Sequence, residues 1–310
     1  MSIEVVEPGI LTTVQDTFGR RGWRHVGVPV GGAADPWGAR LANRLVGNGD
    51  DAALLEVTLA GPTLRFNEPA LVALVGEMAA TLDGLPLRPN AARSVRSGAQ
   101  LRIREGKDAR AYLAVGGGLV VEPLLGSAAT DLRTGFGGLD GRALRVGDRL
   151  AHGAATGSGF RWLGAEPTGP IRIVPGPHAG VDGLTGRAWR IGQEADRTAV
   201  RLDGPRMEAA VAGVPSMGLP LGAVQLPPDG RPIVMLADRP VTGGYPVPAV
   251  VIRADIGRVA RLRPGDELRF ASVSLEEARG ALRRAEEALA TIEALQPPPD
   301  DQLGWAGSHR

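Results

Sequence analysis

The first half of the chain alternates short apolar or β-branched runs with turn residues, at TTVQD (12–16), LLEVTL (54–59), ALVALVG (70–76), AATLDG (79–84) and RAYLAV (110–115). Runs of this length bounded by Gly, Pro, Asp and Asn predict strands. The stretch DPWGARLANRLVGN (35–48) has another period. Trp37, Leu41 and Leu45 fall on one face, Asp35 suits the cap, Pro36 the first helical position and Gly47 the stop, so a helix is expected there. Residues 151–170, AHGAATGSGFRWLGAEPTGP, carry little pattern and read as a linker. Strand runs then resume at IRIV (171–174), AWRI (188–191), AVRLDG (199–204), PIVML (232–236), AVVIRA (249–254) and ELRF (267–270). From Ser274 a capping box with Glu277 opens a helix whose Leu275, Ala278, Leu282, Ala285, Leu289 and Ile292 form one stripe, stopped by Pro297 to Pro299. The predicted organisation is a β-rich unit at 1–155, a linker at 156–170, a second β-rich unit at 171–273, a helix at 274–296 and a disordered tail at 297–310.

Composition supports a mostly β globular protein. The 310 residues include 45 Gly and 25 Pro spread along the chain, as many strands joined by tight turns require. A net charge of +1 supplies no field for gathering phosphates, so neither nucleic acid nor an anionic membrane is expected as a partner. With no cysteine there is no disulfide, thiolate nucleophile or cysteine metal site, which suits a cytoplasmic location. The start MSIEVVEPGI has neither the basic nor the apolar region of a signal peptide, and no apolar run approaches the ~18 residues of a spanning helix.

Several chemistries lack their residues. Lys107 is the only lysine; GKD at 106–108 has neither the upstream glycine nor the following Ser or Thr of a P-loop, and lacks the Met-Lys-Met setting of a biotin carrier. Biotin, if used, is expected on another chain. AVGGGLVVEP offers Gly116 and Gly118 to a dinucleotide fingerprint, but Val121 holds the third position and Pro123 breaks the helix. Ser127, Ser158 and Ser216 lack the glycines of a nucleophile elbow. His25, His152, His178 and His309 show no ligand spacing, so no metal site is expected.

Positive signals are polar residues gathered around turns. In QLPPDGRPIVMLADRPVTGGYP an apolar strand delivers Asp238 and Arg239 at its end, followed by Thr242, Gly243, Gly244 and Tyr245. A strand end fixes an acid and a base, and neighbouring glycines let backbone N–H groups approach an oxyanion. Local chemistry leaves a reactive site and a structural ion pair equally open. In TTVQDTFGRRG, Gln15, Asp16 and Arg20 precede a glycine-rich loop and the helix cap Asp35; glycines before a helix start can receive an anion, but simple capping explains more.

These segments, with GVPVGGAADPWGARLANRLVGN, LLEVTLAGPTLRF, AYLAVGGG, GFGGLDGRALRVGDRL, VPGP, DRTAVRLDG and GAVQLPPDGRPIVMLADR, stand in the order found in the PxpC/KipA family of 5-oxoprolinase subunits, from about residue 3 to residue 280. They also resemble part of the carboxyltransferase region of urea carboxylase, once described as allophanate hydrolase subunit 2. The resemblance implies two cyclophilin-like β-barrels and a companion subunit of the PxpB/KipI kind, acting with a PxpA-like subunit in ATP-dependent opening of 5-oxoproline to glutamate. ATP would be bound by or shared with a partner, with Mg²⁺ entering only with the nucleotide. Two rival readings are a binding module that antagonises a kinase inhibitor, and carboxyl transfer from biotin on another polypeptide.

Matching polar residues are Gln15, Asp16, Arg20, Asp35, Asn43, Glu56, Arg133, Arg197, Arg201, Gln225, Asp229, Asp238, Arg239, Thr242 and Tyr245. Asp238 is expected as acid/base alongside Arg239 in the catalytic pair. Arg239, Arg201 and Arg197 are expected to hold carboxylate or phosphate, since a guanidinium fork matches both, with Gly243 and Gly244 as oxyanion donors. Gln15, Asp16, Arg20, Gln225, Thr242 and Tyr245 complete the expected substrate- or phosphate-binding set. The family's Gly-Ser-Arg-Ser-Thr stands here as Gly126-Ser127-Ala128-Ala129-Thr130, Met217 replaces a glutamate, and Pro240 and Val241 replace Gln-Thr. These departures bear on the inherited substrate.

Overall fold

The computed structural model describes residues 1–208 and 213–295; the expected tail at 297–310 lies outside them. The apolar runs of the first half become two antiparallel sheets. One orders Arg149–Ala151, Ser2–Glu7, Thr63–Phe66, Gln100–Gly106, Met78–Leu82 and Leu85–Pro86; the other orders Leu11–Gln15, Leu54–Thr58, Arg110–Val115, Ala70–Val75 and Ala92–Val95. Their facing sides bury Ile3, Val5, Leu55, Val57, Leu64, Leu101 and Leu113 in one core. On the other face of the second sheet, Leu54, Ala73, Tyr112 and Ala114 are covered by Leu41 and Leu45 of helix α1 (Pro36–Leu45). All six residues of Arg110–Val115 are therefore buried. A strand covered on both faces loses the apolar/polar alternation of a half-exposed one.

The second half closes into a seven-stranded barrel. Its order is Ile171–Pro175, Ala249–Val251, Ala223–Gln225, Ile233–Met235, Ala199–Asp203, Ala188–Ala195 and Glu267–Ser272. A parallel pairing of Ile171 with Phe270 closes it. Trp189, Leu202, Val224, Val234 and Phe270 fill its core, and the Trp189 indole N–H finds the Leu184 carbonyl at 2.9 Å, at the end of the short helix α2 (Val181–Leu184). The protein is thus mostly β, with one closed barrel and one pair of face-to-face sheets.

Some local features depart from the linear reading. Helix α3 (Ile256–Arg261) follows Ala249–Val251 where no helix was anticipated, and buries Ile256, Val259 and Ala260 in the barrel core. Within the expected linker, Phe160–Trp162 is a strand paired with Ile292–Ala294. Helix α4 begins at the expected capping box but runs only over Leu275–Leu289. Ile292, read as the last member of its stripe, instead belongs to that returning strand, because Trp162 offers it an apolar partner across the ladder. Among the described residues no helix is long and apolar enough to cross a membrane.

Candidate functional site at the junction of the two units

Strand alternation decides the first placement. Leu55 and Val57 point into the sheet–sheet core, so Leu54 and Glu56 turn toward α1, where Tyr112 is the cross-strand neighbour of Glu56. The buried Glu56 carboxylate is fully used. Oε2 accepts the Ala34 N–H at 2.8 Å and the Tyr112 hydroxyl at 2.9 Å, and Oε1 accepts from Arg197 of the barrel. Arg197 sits on the turn between Ala188–Ala195 and Ala199–Asp203. It also grips both oxygens of Asp238, at 2.8 and 2.9 Å, and donates to the Gly32 carbonyl at 2.7 Å. One buried guanidinium therefore ties a carboxylate of each unit together, in the bidentate geometry that arginine favours.

The three charges do not share evenly. Burial alone would raise the Glu56 pKa, but Arg197 and Arg110, whose Nε lies 3.9 Å from Oε1, prevail and hold it below the usual carboxylate value. Burial opposes the charge of Arg197, yet the two carboxylates outweigh it and keep the guanidinium protonated. At Asp238 burial dominates the opposing pull of Arg197, with a further rise from the charge of Glu56, and its pKa lies above the ordinary carboxylate range. Asp238 is thus the carboxylate of this cluster that its surroundings most favour in the protonated form. It also lines an open cavity of about 750 Å³, with Leu132 and Arg133 from the first unit and the 193–201 hairpin from the barrel.

The other expected residues divide among distinct places. Arg201 lines the same cavity but is already paired with Asp229 at 2.7 Å and Glu194 at 2.9 Å. Arg197 and Arg201, expected to hold a ligand's anion, thus bind carboxylates of the chain itself. Asp16 is a loop clamp: Oδ1 accepts the Gly19 N–H at 2.7 Å, and Oδ2 accepts the Ser127 hydroxyl at 2.6 Å and the Ala128 N–H at 2.7 Å. Gln15 donates its amide to Thr13 Oγ1 and the Thr130 carbonyl, leaving its own carbonyl oxygen buried and unpartnered. Arg20 donates to the Ala129 carbonyl and stacks on Phe136 at 4.5 Å, while its Nε and Nη1 find no partner. Burial lowers its pKa against the attraction of Asp131, Asp16 and Asp238. A Cβ on Gly31 would lie 3.5 Å from Arg20 Nη1 and 3.7 Å from Asp238 Oδ1, so the two face each other across that glycine.

Asp238 and Arg239, adjacent in sequence, are separated in space. Arg239 turns away from the Arg197 cluster, donates Nε to the Leu219 carbonyl at 3.0 Å, and lines a second cavity. Thr242 and Gly243 form a short ladder with Met217 and Gly218, with Met217 opposite Gly243. Gln225 approaches Gly243 so closely that a Cβ there would lie 2.6 Å from its buried, unpartnered Nε2. Gly244 accepts only a long 3.4 Å bond from Val214, and Tyr245 is exposed. The Thr242–Tyr245 segment thus forms a group with Gln225 and Met217, apart from Asp238.

The departures from the family pattern resolve similarly. Ala128, Ala129 and Val241 act through their backbones, as donor to Asp16 and as acceptors from Arg20 and Arg24. Met217 alone brings a different side chain to the glycine segment. Its partners Leu219, Ala223, Met235 and Val247 make a small apolar cluster, and Arg24 and Arg239 both donate to the Leu219 carbonyl beside it.

The junction residues that sequence reading left outside its site are Glu56, Tyr112, Arg110 and Arg261. A glutamate inside LLEVT and an arginine and tyrosine inside RAYLAV are the available signals, since a charge within an otherwise apolar strand needs a buried partner. Asp35 caps α1 through the N–H groups of Trp37 and Gly38 and lies 3.2 Å from Arg261 Nε. The cap leaves the start of α1 no free turn for an anion.

Comparison with known proteins agrees with this architecture. The family described as carboxyltransferase domain, subdomain A and B, matches residues 26–272. A 5-oxoprolinase subunit of Escherichia coli (strain K12) is 36% identical over 288 residues, covering 89% of this chain and 93% of that protein. The urea amidolyase of Lachancea kluyveri is 32% identical over 334 residues, covering 94% of this chain but 18% of that protein. The crystal structure of the K. lactis urea amidolyase superposes with a TM-score of 0.87 at 30% identity, over 97% of this chain and 20% of that one. With its matched span taking in most of both units, the chain belongs to the carboxyltransferase domain family, subdomain A and B, together with that 5-oxoprolinase subunit.

Proposed function

We propose that this chain is one part of an ATP-dependent lactam or amide hydrolase of the 5-oxoprolinase kind, working with partner subunits. The observation that carries this reading is the likeness to the Escherichia coli 5-oxoprolinase subunit, which spans 93% of that protein, whereas the likeness to urea amidolyase spans 18% of a much longer one. The proposed reaction adds one water across the lactam C–N bond of 5-oxoproline to give glutamate, coupled to the hydrolysis of ATP by a second water to ADP and phosphate. Asp238 would exchange the proton at the cavity wall, held in place by Arg197, while its raised pKa suits that task. The chain lacks the lysine of a P-loop, and nucleotide with its Mg²⁺ is assigned to a partner or to a surface shared with one.

Co-purification with the companion subunits and measurement of 5-oxoproline-dependent phosphate release tests the reading. Asp238→Asn is expected to lower kcat by about 10²- to 10⁴-fold, the range of general acid–base catalysis. Undiminished turnover in that variant would remove Asp238 from the site, and no turnover in the complete wild-type assembly would overturn the hydrolase reading. The family's own description supports a second reading, carboxyl transfer from biotin held elsewhere. Activity that requires a biotinylated partner would select it. Lys107 of this chain sits on an exposed turn in an ion pair with Glu77 at 3.1 Å.

A further inference from the structure

The cavity that Arg239 lines has no place in the reading above. It encloses about 460 Å³ between the Thr17–Gly31 loop of the first unit, the barrel strands and the first half of α4. Its walls are largely apolar, with Phe18, Val30, Leu221, Ile252 and Leu282 among them. Four arginines, Arg21, Arg239, Arg253 and Arg279, also line it, and among the described residues no carboxylate does.

That imbalance is unusual for this chain. Most of its buried arginines meet an acid: Arg197 has Glu56 and Asp238, and Arg261 has Asp35, Asp108 and Glu166. Among the described residues none of the four cavity arginines forms an ion pair. Arg239 is the sharpest case. It is only 9% exposed, its hydrogen bonds go from Nε and Nη1 to the carbonyls of Leu219, Leu236 and Ala237, and its Nη2 has none among the described residues. Burial, reinforced by the nearby charge of Arg24, pushes its pKa down to about 10, so the fold holds this cation at a cost that an anion would relieve.

Helix α4 shows why the space is open. The C-terminal part of its apolar stripe is covered, with Leu289 fully buried and the indoles of Trp37 and Trp162 bonded to the Ala285 and Ala288 carbonyls. Leu275, Ala278 and Leu282, on the same stripe one to three turns earlier, face the cavity instead. Leu275 is 64% exposed.

We propose that this interdomain cavity is a binding site for a small organic anion, with its oxyanion head on Arg239, Arg253 and Arg279 and its apolar body against Phe18, Ile252 and Leu282. Carboxylate and phosphate heads share the chemistry that a guanidinium fork recognises. The volume falls in the range of small-molecule sites, roughly 300–1,000 Å³. Because Asp238 and Arg239 line different cavities, this site is separate from the proposed catalytic one.

Isothermal titration of the full chain with benzoate, phenyl phosphate, phenol and inorganic phosphate tests the inference and identifies the head. One or both organic anions should saturate a single site and bind at least about tenfold tighter than phenol or inorganic phosphate, since the head and the body both contribute. The double variant Arg253→Glu, Arg279→Glu alters exposed residues and should keep the wild-type melting temperature while weakening binding about tenfold or more. Ala278→Phe, which fills the cavity without touching a charge, should weaken it as well. The proposal is overturned if neither organic anion binds saturably, if inorganic phosphate or phenol binds as tightly as the tighter organic anion, or if the charge-reversed variant binds like the wild type. Failure of the hydrolase assay leaves these titrations unaffected, so the two readings stand or fall separately.

Discussion

At the scale of single residues, the sharpest consequences lie in the Glu56–Arg197–Asp238 cluster. Glu56→Gln would leave Arg197 with one buried carboxylate instead of two and is expected to cost about 3–5 kcal/mol at neutral pH, measured by denaturant unfolding. The sign of its pH dependence follows from its lowered pKa. A carboxyl whose folded pKa lies below its unfolded value, about 4.3, stabilises the fold in its ionised form. That contribution is complete above about pH 4.3 and disappears as pH falls through the folded value, so the gap between wild type and Glu56→Gln should narrow on acidification. Asp238 works in the opposite sense. Its raised pKa means that the folded state retains the proton, so its contribution is present below about pH 3.9 and lost as pH rises through the folded value. Asp238→Asn should therefore flatten the stability profile just above that pH, and an unchanged profile would contradict the raised pKa.

At the scale of elements, α1 and α4 are fixed by their ends. Ser274 Oγ accepts the Glu277 N–H at 3.1 Å while the Glu277 carboxylate accepts the Ser274 N–H at 2.7 Å. Ser274→Ala is expected to cost about 1 kcal/mol, read from thermal unfolding. Beyond Leu289 the chain returns as Ile292–Ala294 onto Phe160–Trp162, and the Trp37 and Trp162 rings meet edge-on at 5.1 Å. Truncation after Val273 removes the carbonyls that receive both indole N–H groups. The expected result is a red-shifted tryptophan emission, because both rings would then be solvated. Helix α3 depends on a glycine: a Cβ on Gly257 would lie 2.0 Å from Asp35 Oδ1, so Gly257→Ala must displace either the α1 cap or α3.

At the scale of the molecule, two arginines act as struts between the units. Arg197 reaches from the barrel to Glu56 and Gly32, and Arg261 from α3 to Asp35 and Asp108, with Glu166 of the connecting segment as a further partner. Burial opposes the charge of Arg261, but the three acids around it keep its pKa raised. Arg110 adds a bond to the Ala260 carbonyl, and the Ala109 N–H reaches the Arg261 carbonyl at 2.7 Å. Replacing Arg197 and Arg261 together by Met should uncouple the units. Calorimetry would then resolve two transitions where the wild type gives one; a single transition in the double variant would mean that the remaining contacts, Arg110 to Ala260 and Arg24 to Leu219 among them, suffice to couple the units. The same junction lies between the two cavities, so uncoupling should also weaken binding in the arginine-lined one.

Periodicity and caps were sufficient to locate about half of the strands, α1 and the start of α4, because those depend on neighbours within a few residues. Asp35 and Ser274 cap as their local sequences require, the strand end before a glycine pair brought Asp238 and Arg239 into view, and family likeness added Arg197 and Arg201. Long-range contacts decided the rest. The chain reverses after α4 because Trp162 offers Ile292 a partner more than a hundred residues away in sequence, and α3 forms where the barrel core can accept Ile256 and Val259. The division of Asp238 from Arg239 is likewise tertiary. Which of two adjacent side chains meets Glu56 and Arg197, and which opens into an arginine-lined cavity, depends on two units packing together, and no local pattern encodes the partner that each charge will find.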